Sequence, residues 1–330
     1  MSVTEETGYA VRVDGLSKTF HQRGRRSETS RDVHAVRDVS LTVGQAECLG
    51  IAGESGSGKS TLARMLVGLE VPTAGEIWVN GERLAEPPRA VDRRHHARRI
   101  QMVFQDPYSS LDPRQPAGMV LDEVQRVHFD RDRAARVVRT AELLDAVGLG
   151  SGYLDSVPRS MSGGQRQRLA IARALAAEPS VIVLDEAVSA LDVSIQAQIL
   201  NLLSDLRKEF ALTYIFISHD LAVIRQVSDR VMVLYRGRLM EQAPVEQIFR
   251  SAAHPYSQLL LDSVPRPGMS LMERPDRGFL AEDGCLFRGR CVSAHDRCEA
   301  EPPLFTVSGS AQSRCWLVEE QSASHPKERA

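Results

Sequence analysis

Residues 53–60, GESGSGKS, constrain the fold of this chain more than any other stretch. The apolar run ECLGIAG before them predicts a buried strand, and the apolar spacing in STLARMLVGL after them predicts a helix. A loop of the pattern G-x-x-x-x-G-K-[ST] between a strand and a helix wraps backbone N–H groups and the positive helix end around phosphate oxygens. The stretch therefore predicts an α/β protein that binds a nucleoside triphosphate.

The side chains of this loop have separate predicted tasks. Glycines let the backbone approach an anion closely, Lys59 can reach the β- and γ-phosphates, and the Ser60 hydroxyl can ligate Mg²⁺. We therefore expect ATP and Mg²⁺ as cofactors. The predicted nucleotide-binding residues of this stretch are Gly53, Gly56, Gly58, Lys59, Ser60 and Thr61.

Two later apolar runs end in polar residues that suit the same site. The run VIVL at 181–184 leads to Asp185 and Glu186, and the run LTYIFI is followed by Ser-His219. In α/β folds the carboxyl ends of parallel strands line the ligand crevice. We expect Asp185 to hold Mg²⁺ through water, Glu186 to orient or deprotonate the attacking water, and His219 to lie near the γ-phosphate.

The stretch SMSGGQRQRLAIARALAAEP at 160–179 predicts a second anion site. Ser162 suits the N-cap of a helix that stops near Pro179. Gly163 and Gly164 predict a flexible turn before that helix. Two phosphate-binding elements so far apart in sequence favour a dimer, in which the partner's Ser-Gly-Gly-Gln turn completes each chain's loop.

Composition and charge narrow the choice of partners. The chain has 330 residues, 42% of them hydrophobic and 25% charged, and a formal net charge of −2. This balance argues against a protein that coats nucleic acid, and we interpret the basic run RRHHARR at 93–99 as a solvated helix face. No stretch reaches the roughly 18 uncharged apolar residues of a membrane span, and the N-terminus does not resemble a secretory signal. We therefore expect a cytosolic protein.

Together these motifs resemble the ATP-binding subunits of ABC transporters, over about the first 260 residues. MSGGQ at 161–165 matches the family's signature motif, with Met where Leu is commonest, and SALD at 189–192 matches its D-loop. The resemblance implies that Glu186 is the catalytic base, that His219 is the switch histidine, and that Gln105 contacts Mg²⁺ and the attacking water. Further implied ATP contacts are Ser162, Gly163, Gly164, Gln165, Asp192 and Phe20, the last as an aromatic that stacks on adenine or, alternatively, as a core residue.

Within that family, the stretches VFQDPYSSLDPR, LDEAVSALDVSIQAQILNLL and HPYSQLL resemble the oligopeptide/dipeptide importer branch. This resemblance implies a subunit that powers peptide import at the cytoplasmic face of the cell membrane. Implied partners are a second ABC ATPase subunit, identical or homologous, two transmembrane permease subunits, and an extracellular or periplasmic solute-binding protein.

Two other functions remain alternatives to peptide import. Nickel and glutathione importers belong to the same branch. An ABC ATPase that acts on ribosomes or DNA is disfavoured, because the chain has a single phosphate loop and lacks long heptad coiled coils. We therefore expect no nucleic-acid partner.

The predicted fold class is α/β: a P-loop NTPase of the ABC cassette type with an antiparallel β subdomain, an inserted helical subdomain and a small C-terminal cysteine-bearing segment. Hairpins are predicted around Asn80-Gly81 and Arg236-Gly237. The predicted boundaries are 8–262 for the ATP-binding domain, with the helical subdomain at 106–175, then 263–282 for a linker, 283–316 for the cysteine motif and 317–330 for a disordered tail.

Four of the five cysteines lie near the C-terminus, at Cys285, Cys291, Cys298 and Cys315, whereas Cys48 suits a core strand. A cytosolic setting disfavours disulfides, and structural zinc usually uses closer C-x₂₋₄-C pairs. The uneven spacing is tolerated by a [4Fe–4S] cluster, and the segment resembles the C-terminal cysteine motif of peptide-importer ATPases, some of which carry one. We therefore expect a [4Fe–4S] cluster that also stabilises the segment, with Zn²⁺, or free or paired thiols, as alternatives.

Overall fold

The computed structural model describes residues 8–22, 31–84, 90–106, 110–263 and 283–319. They divide into two compact units, each assembled from several stretches of the chain. The first unit draws on 1–18, 40–48 and 60–217, and the second on 19–39, 49–59 and 218–330. Residues 264–282 of the predicted linker and 320–330 of the predicted tail lie outside the described part of the chain.

A four-stranded antiparallel sheet includes residues of the first unit, whereas residues 19–22 and 31–39 of its strands belong to the second unit. Its strands are β1 (Tyr9–Gln22), β2 (Arg31–Gly44), β4 (Ala74–Val79) and β5 (Glu82–Arg83). They lie in the order β2-β1-β4-β5. Asn80 and Gly81 connect β4 to β5 with φ values of +51° and +76°, the left-handed conformation that a tight hairpin turn requires. The antiparallel subdomain and its hairpin are therefore present as predicted.

Three parallel strands form the other sheet region of the first unit. They are β6 (Ile100–Val103), β7 (Val181–Asp185) and β8 (Thr213–Ile217). Strand β7 lies between the other two, with Val181 opposite Ile100 on one side and Thr213 on the other. Every residue of β7 and β8 is buried, which explains their uninterrupted apolar sequences, because strands of a parallel sheet are covered on both faces.

The helices of the first unit include those predicted for the helical subdomain. They are α1 (Lys59–Leu66), α2 (Ala90–Arg99), α3 (Ala117–His128), α4 (Arg133–Ala146), α5 (Gly163–Leu175) and α6 (Val193–Glu209). The first residue of α1 belongs to the second unit. None of the helices within the described ranges is long and apolar enough to cross a membrane.

The basic run at 93–99 lies on α2, and the prediction of a solvated face needs one correction. Arg93, Arg94 and His95 are exposed, but His96 is 6% exposed. Its Nε2–H donates to the carbonyl oxygen of Leu66 at 2.8 Å, because a carbonyl can only accept. His96 therefore satisfies a backbone group at the end of α1, and helical spacing alone did not reveal this.

The second unit contains a mixed sheet with the order β11-β12-β10-β9-β3. The strands are β3 (Cys48–Ala52, beginning in the first unit), β9 (Arg230–Tyr235), β10 (Arg238–Pro244), β11 (Phe305–Ser308) and β12 (Ala311–Ser313). Strand β9 runs parallel to β3 and antiparallel to β10, across the predicted hairpin. The helices of this unit are α7 (Leu221–Val227), α8 (Val245–Ser251) and α9 (Pro255–Asp262).

The C-terminal cysteine-bearing segment is packed onto this sheet. Strand β12 pairs with β10, with Ser313 opposite Glu241. Phe287 is 2% exposed and contacts Tyr235 and Tyr256, at ring-centroid distances of 5.4 and 5.3 Å. The segment therefore draws stability from strand pairing and aromatic burial. The expectation that a metal supplies the stability of this segment is not supported. The short hairpin at 305–313 was not predicted from the sequence.

Candidate nucleotide-binding site

Residues 53–59 of the predicted phosphate loop lie in the second unit. A Cβ on Gly53 would stand 2.2 Å from the Leu234 carbonyl oxygen, and one on Gly58 would stand 2.2 Å from that of Ala35. Both glycines also have positive φ, so other residues are excluded by space and by conformation. Lys59 is buried, and its ammonium group donates to the carbonyl oxygen of Gly53 at 2.7 Å. The loop thus holds its lysine in a defined position.

Glu54, the second residue of the loop, is held by two residues from the C-terminal part of the chain. Its N–H donates to the Tyr256 hydroxyl at 2.9 Å. Its two carboxylate oxygens accept from the two terminal nitrogens of Arg290, at 2.8 and 2.9 Å. Its carbonyl oxygen accepts from the Lys59 ammonium at 2.9 Å. Sequence reasoning missed these contacts, because Glu54 fills a variable position of the loop pattern and Arg290 lies 236 residues away.

The predicted metal ligands and the predicted base lie in the first unit. The Ser60 hydroxyl donates to a carboxylate oxygen of Asp185 at 3.2 Å, which brings two of the three predicted Mg²⁺ contacts together. The side-chain amide of Gln105 donates to the Glu186 carboxylate at 2.9 Å. Glu186 directly follows β7 and has φ of +48°, a strained conformation that is concentrated at functional sites. Hydroxyl and carboxylate oxygens of this kind suit Mg²⁺.

Further residues that we expect to contact the nucleotide lie outside these two hydrogen-bonded pairs. Thr61 is half-buried on α1, His219 is exposed beyond β8, and Phe20 is 37% exposed on β1. Gly56, with φ of +77°, has no atom within 4 Å of an added Cβ, so its outer side is open. An exposed Phe20 disfavours the alternative of a core phenylalanine.

The signature stretch forms the N-terminus of α5 with a reciprocal cap. The Ser162 hydroxyl accepts from the Gln165 N–H, and the Ser162 N–H donates to the Gln165 side-chain oxygen. Gly163 and Gly164 lie in the first helical turn, so the predicted flexible turn is wrong. A Cβ on Gly164 would stand 2.6 Å from a methyl of Ile195, so this glycine allows α5 and α6 to pack closely.

Asp192 caps a different helix. Its carboxylate accepts from the Ile195 N–H at 3.0 Å and from the Ser194 hydroxyl at 2.8 Å. The hydrogen bond from Ile195 is the main reason that the pKa of Asp192 is lowered from its ordinary value. Asp192 is therefore an ionised N-cap of α6 at neutral pH.

The four C-terminal cysteines line one small cavity. Burial raises the pKa of Cys285 to about 11 and that of Cys315 to about 12, so both are protonated thiols at neutral pH. The cavity, which Cys291 and Cys298 also line, has a volume of about 10 Å³, roughly that of one water. No group of three or more His, Cys, Asp or Glu side chains in the described ranges is arranged to hold a metal ion. The number and type of donors suit a cluster, but the cavity that they line is too small to contain one.

Comparisons with known proteins show the family to which this chain is related. A family model described as ABC transporter matches residues 36–189, and one described as oligopeptide/dipeptide transporter, C-terminal region, matches residues 240–298. The chain is 44% identical to a putative peptide import ATP-binding protein of Brucella abortus, covering 93% of each. It is 40% identical to the dipeptide transport ATP-binding protein DppF of Escherichia coli, covering 88% of this chain and 89% of that protein.

A solved structure has the same fold. The ATP-binding cassette MJ0796, in a dimeric post-hydrolysis state bound to ADP and Pi, is 29% identical and aligns with a TM-score of 0.63, covering 71% of this chain and 98% of that one. The predicted α/β cassette fold is confirmed by this match. The chain therefore belongs to the ATP-binding subunits of bacterial ABC transporters, within the oligopeptide/dipeptide importer family.

Proposed function

We propose that this chain is the ATP-hydrolysing subunit that powers an importer of oligopeptides or dipeptides. The observation that carries the proposal is its 44% identity, over 93% of its length, to a putative peptide import ATP-binding protein, together with a complete set of ATP motifs. The match of residues 240–298 to the C-terminal region of peptide transporters supports the peptide branch. The subunit converts ATP and water into ADP and phosphate, while other subunits select the cargo.

Each site residue has a proposed task in hydrolysis. Lys59 and the N–H groups of the loop bind the phosphates, and Ser60 and Asp185 hold Mg²⁺, which neutralises phosphate charge when it is bound. Glu186 accepts a proton from the attacking water, and Gln105, already hydrogen-bonded to Glu186, orients that water. The remaining proposed contacts are His219 at the γ-phosphate, Phe20 against adenine, and Gly53, Gly56, Gly58 and Thr61 around the phosphates.

We propose that a second ATPase subunit completes the site. Ser162 and Gly163 are exposed at the N-terminus of α5, where the positive end of the helix dipole favours an anion. These two residues, with Gly164, Gln165 and Asp192, would face the nucleotide of the partner chain. The dimeric state of the related cassette MJ0796 supports this arrangement. The partner is either a second copy of this chain or a homologous subunit.

A groove in the first unit supports docking of a permease subunit. It has a volume of about 490 Å³ and apolar walls that include Met102, Phe104 and Val124. Glu123 and Arg173 add charged groups to the lining. An apolar groove with a few polar groups suits a short helix of a membrane protein. We propose two transmembrane permease subunits as partners, and with them a position of this chain at the cytoplasmic face of the membrane.

Purification of the tagged full chain from the membranes of its native host tests the function. We expect two multi-span membrane proteins and an extracellular or periplasmic peptide-binding protein to accompany it, and peptides to stimulate the ATPase activity of the reconstituted complex. Stimulation by nickel or glutathione would instead identify one of the alternative cargoes. Recovery with ribosomes or DNA-repair proteins in place of permeases would contradict the proposal.

The [4Fe–4S] cluster is a separate and finer proposal. Four thiols around one cavity support it, but that cavity would have to widen to hold a cluster. Anaerobic purification would then give a brown protein with about four irons per chain. Stoichiometric zinc would identify Zn²⁺ as the bound metal. Colourless, metal-free protein after anaerobic reconstitution would overturn the cluster and leave free or paired thiols.

A further inference from the structure

Glu54 connects the C-terminal cysteine-bearing segment to the lysine of the phosphate loop. Its carboxylate is bound by Arg290 through two hydrogen bonds, a geometry that fixes both partners. Its carbonyl oxygen accepts from the Lys59 ammonium and from the Ser57 N–H, at 2.9 and 3.1 Å. A displacement of Glu54 would therefore move two groups of the predicted phosphate loop, the Lys59 ammonium and the Ser57 N–H.

Arg290 is itself held in position by buried aromatic residues. It ends a three-residue 3₁₀ turn, Arg288–Arg290, and its N–H donates to the Phe287 carbonyl oxygen at 3.0 Å. Phe287, Tyr235 and Tyr256 contact one another at centroid distances of 4.6 to 5.4 Å. Tyr256 also accepts from the Glu54 N–H, so one aromatic cluster supports both contacts with Glu54.

The charge of Glu54 makes the ion pair important for nucleotide binding. A carboxylate beside a phosphate loop repels the polyphosphate of ATP, and its effect extends over about 10 Å at ordinary ionic strength. Arg290, which is paired with the Glu54 carboxylate, neutralises this negative charge locally. Pairing therefore does two things: it fixes the loop, and it removes a repulsion that an unpaired glutamate would exert.

We propose that Arg290 is a positioning residue for the phosphate loop, through which the C-terminal segment sets the affinity of this subunit for ATP. This role rests on the proposed function, since it requires ATP as the ligand of the loop. Arg290 acts through Glu54 and does not touch the nucleotide. The turn that carries it lies between Cys285 and Cys291, so a change at the cysteine cavity would reach the loop through the same residue.

Binding of Mg·ATP to the full-length chain tests the proposal. We expect Arg290→Gln to raise the Kd about tenfold, because the Glu54 charge is left unpaired, and to change kcat in the purified complex by less than about twofold. Glu54→Gln should bind within about twofold of wild type. The double variant Glu54→Gln/Arg290→Gln should recover the part of the affinity that repulsion removed, since the repelling charge is gone, but not the part that depends on Arg290 fixing the loop. The defect of Arg290→Gln should shrink as salt is raised from 50 to 500 mM.

Two controls separate this role from general destabilisation. Arg297→Gln removes an arginine of the same segment whose ion pair is with Glu319, and it should leave the Kd unchanged. Arg290→Lys keeps the charge and should bind within about threefold of wild type, which covers the case that Arg290→Gln folds poorly. Unchanged affinity in Arg290→Gln, or a defect that Glu54→Gln does not relieve, would overturn the proposal. Failure of the wild-type chain to bind Mg·ATP would contradict the proposed function instead.

Discussion

Glu186 combines a strained backbone with a side chain that is already hydrogen-bonded to Gln105. We expect Glu186→Gln to keep ATP binding but to lower steady-state ATPase activity of the complex by about 10²–10³ or more, because the amide cannot accept the proton of water. The variant should also trap a nucleotide-bound dimer, which size-exclusion chromatography with ATP detects. Glu142→Gln, on the exposed side of α4, is a matched control with normal activity. Near-normal activity in Glu186→Gln would mean that another residue is the catalytic base.

The two interpretations of Phe20, as a ring that stacks on adenine or as a core residue, predict different effects of its mutation. Its exposure of 37% leaves a ring face available for adenine. We expect Phe20→Ala to raise the Kd for ATP by about 5- to 100-fold, as the loss of aromatic–base stacking does elsewhere, and to leave the urea midpoint of unfolding nearly unchanged. Phe20→Tyr should bind normally because it keeps the ring. A large loss of stability with unaltered binding would identify Phe20 as a core residue.

At this scale, what the sequence predicts depends on whether a contact is local. The cap between Ser162 and Gln165 spans three residues and follows a known pattern, so it could be predicted. Glu54 and Arg290 are connected only by the fold, and neither belongs to a fixed motif position. Such a pair leaves no periodicity or spacing in a single sequence by which it could be found.

The contact between α1 and α2 depends on one buried histidine. Burial lowers the pKa of His96 from its ordinary value near 6.5, with smaller effects from Arg99 and His95. The unfolded chain therefore takes up a proton as the pH falls below 6.5 while the native chain resists it, so stability is lost in that direction. His96→Gln keeps a donor for the Leu66 carbonyl and removes this titration.

We therefore expect wild type to lose more stability than His96→Gln when the pH is lowered from 7.5 to 5.5. The difference should be at most about 1.4 kcal/mol, the linkage limit for the one pH unit below 6.5. Urea unfolding at the two pH values measures it. His95→Gln, the exposed neighbour, should behave like wild type. Equal pH dependence of wild type and His96→Gln would mean that His96 is protonated in the native state.

Strands and hairpins could be predicted best where a single sequence pattern determines them. The apolar runs of β7 and β8, buried on both faces, gave strands at 181–185 and 213–217, and the turn residues gave both hairpins. The start of α5 was misjudged, because paired glycines usually disfavour a helix. Here Gly164 is required by the close approach of Ile195, a tertiary contact that overrides local propensity.

For the whole molecule, the interleaving of the two units was not predictable from motif order. The phosphate loop and the cysteine-bearing segment belong to one unit although more than 200 residues separate them, whereas Ser60, next to Lys59, belongs to the other. Motifs are local in sequence, but compact units are defined by contacts between distant segments. Motifs therefore predict which residues belong to a site more readily than they predict how the chain is divided into compact units.

The dimer is the prediction that concerns the whole assembly. If a partner chain completes the site, Ser162 must approach the phosphate loop of another subunit. A full-length Ser162→Cys chain, in the Glu186→Gln background and in the purified complex, is labelled with a maleimide–benzophenone probe and irradiated with Mg·ATP. We expect a product of two ATPase chains, with the adduct mapped to the phosphate loop of the second chain. The same chain without Ser162→Cys controls for labelling of native cysteines, and omission of ATP should reduce the product, because the nucleotide holds the two subunits together. An adduct confined to residues 53–60 of the labelled chain itself would refute a shared site.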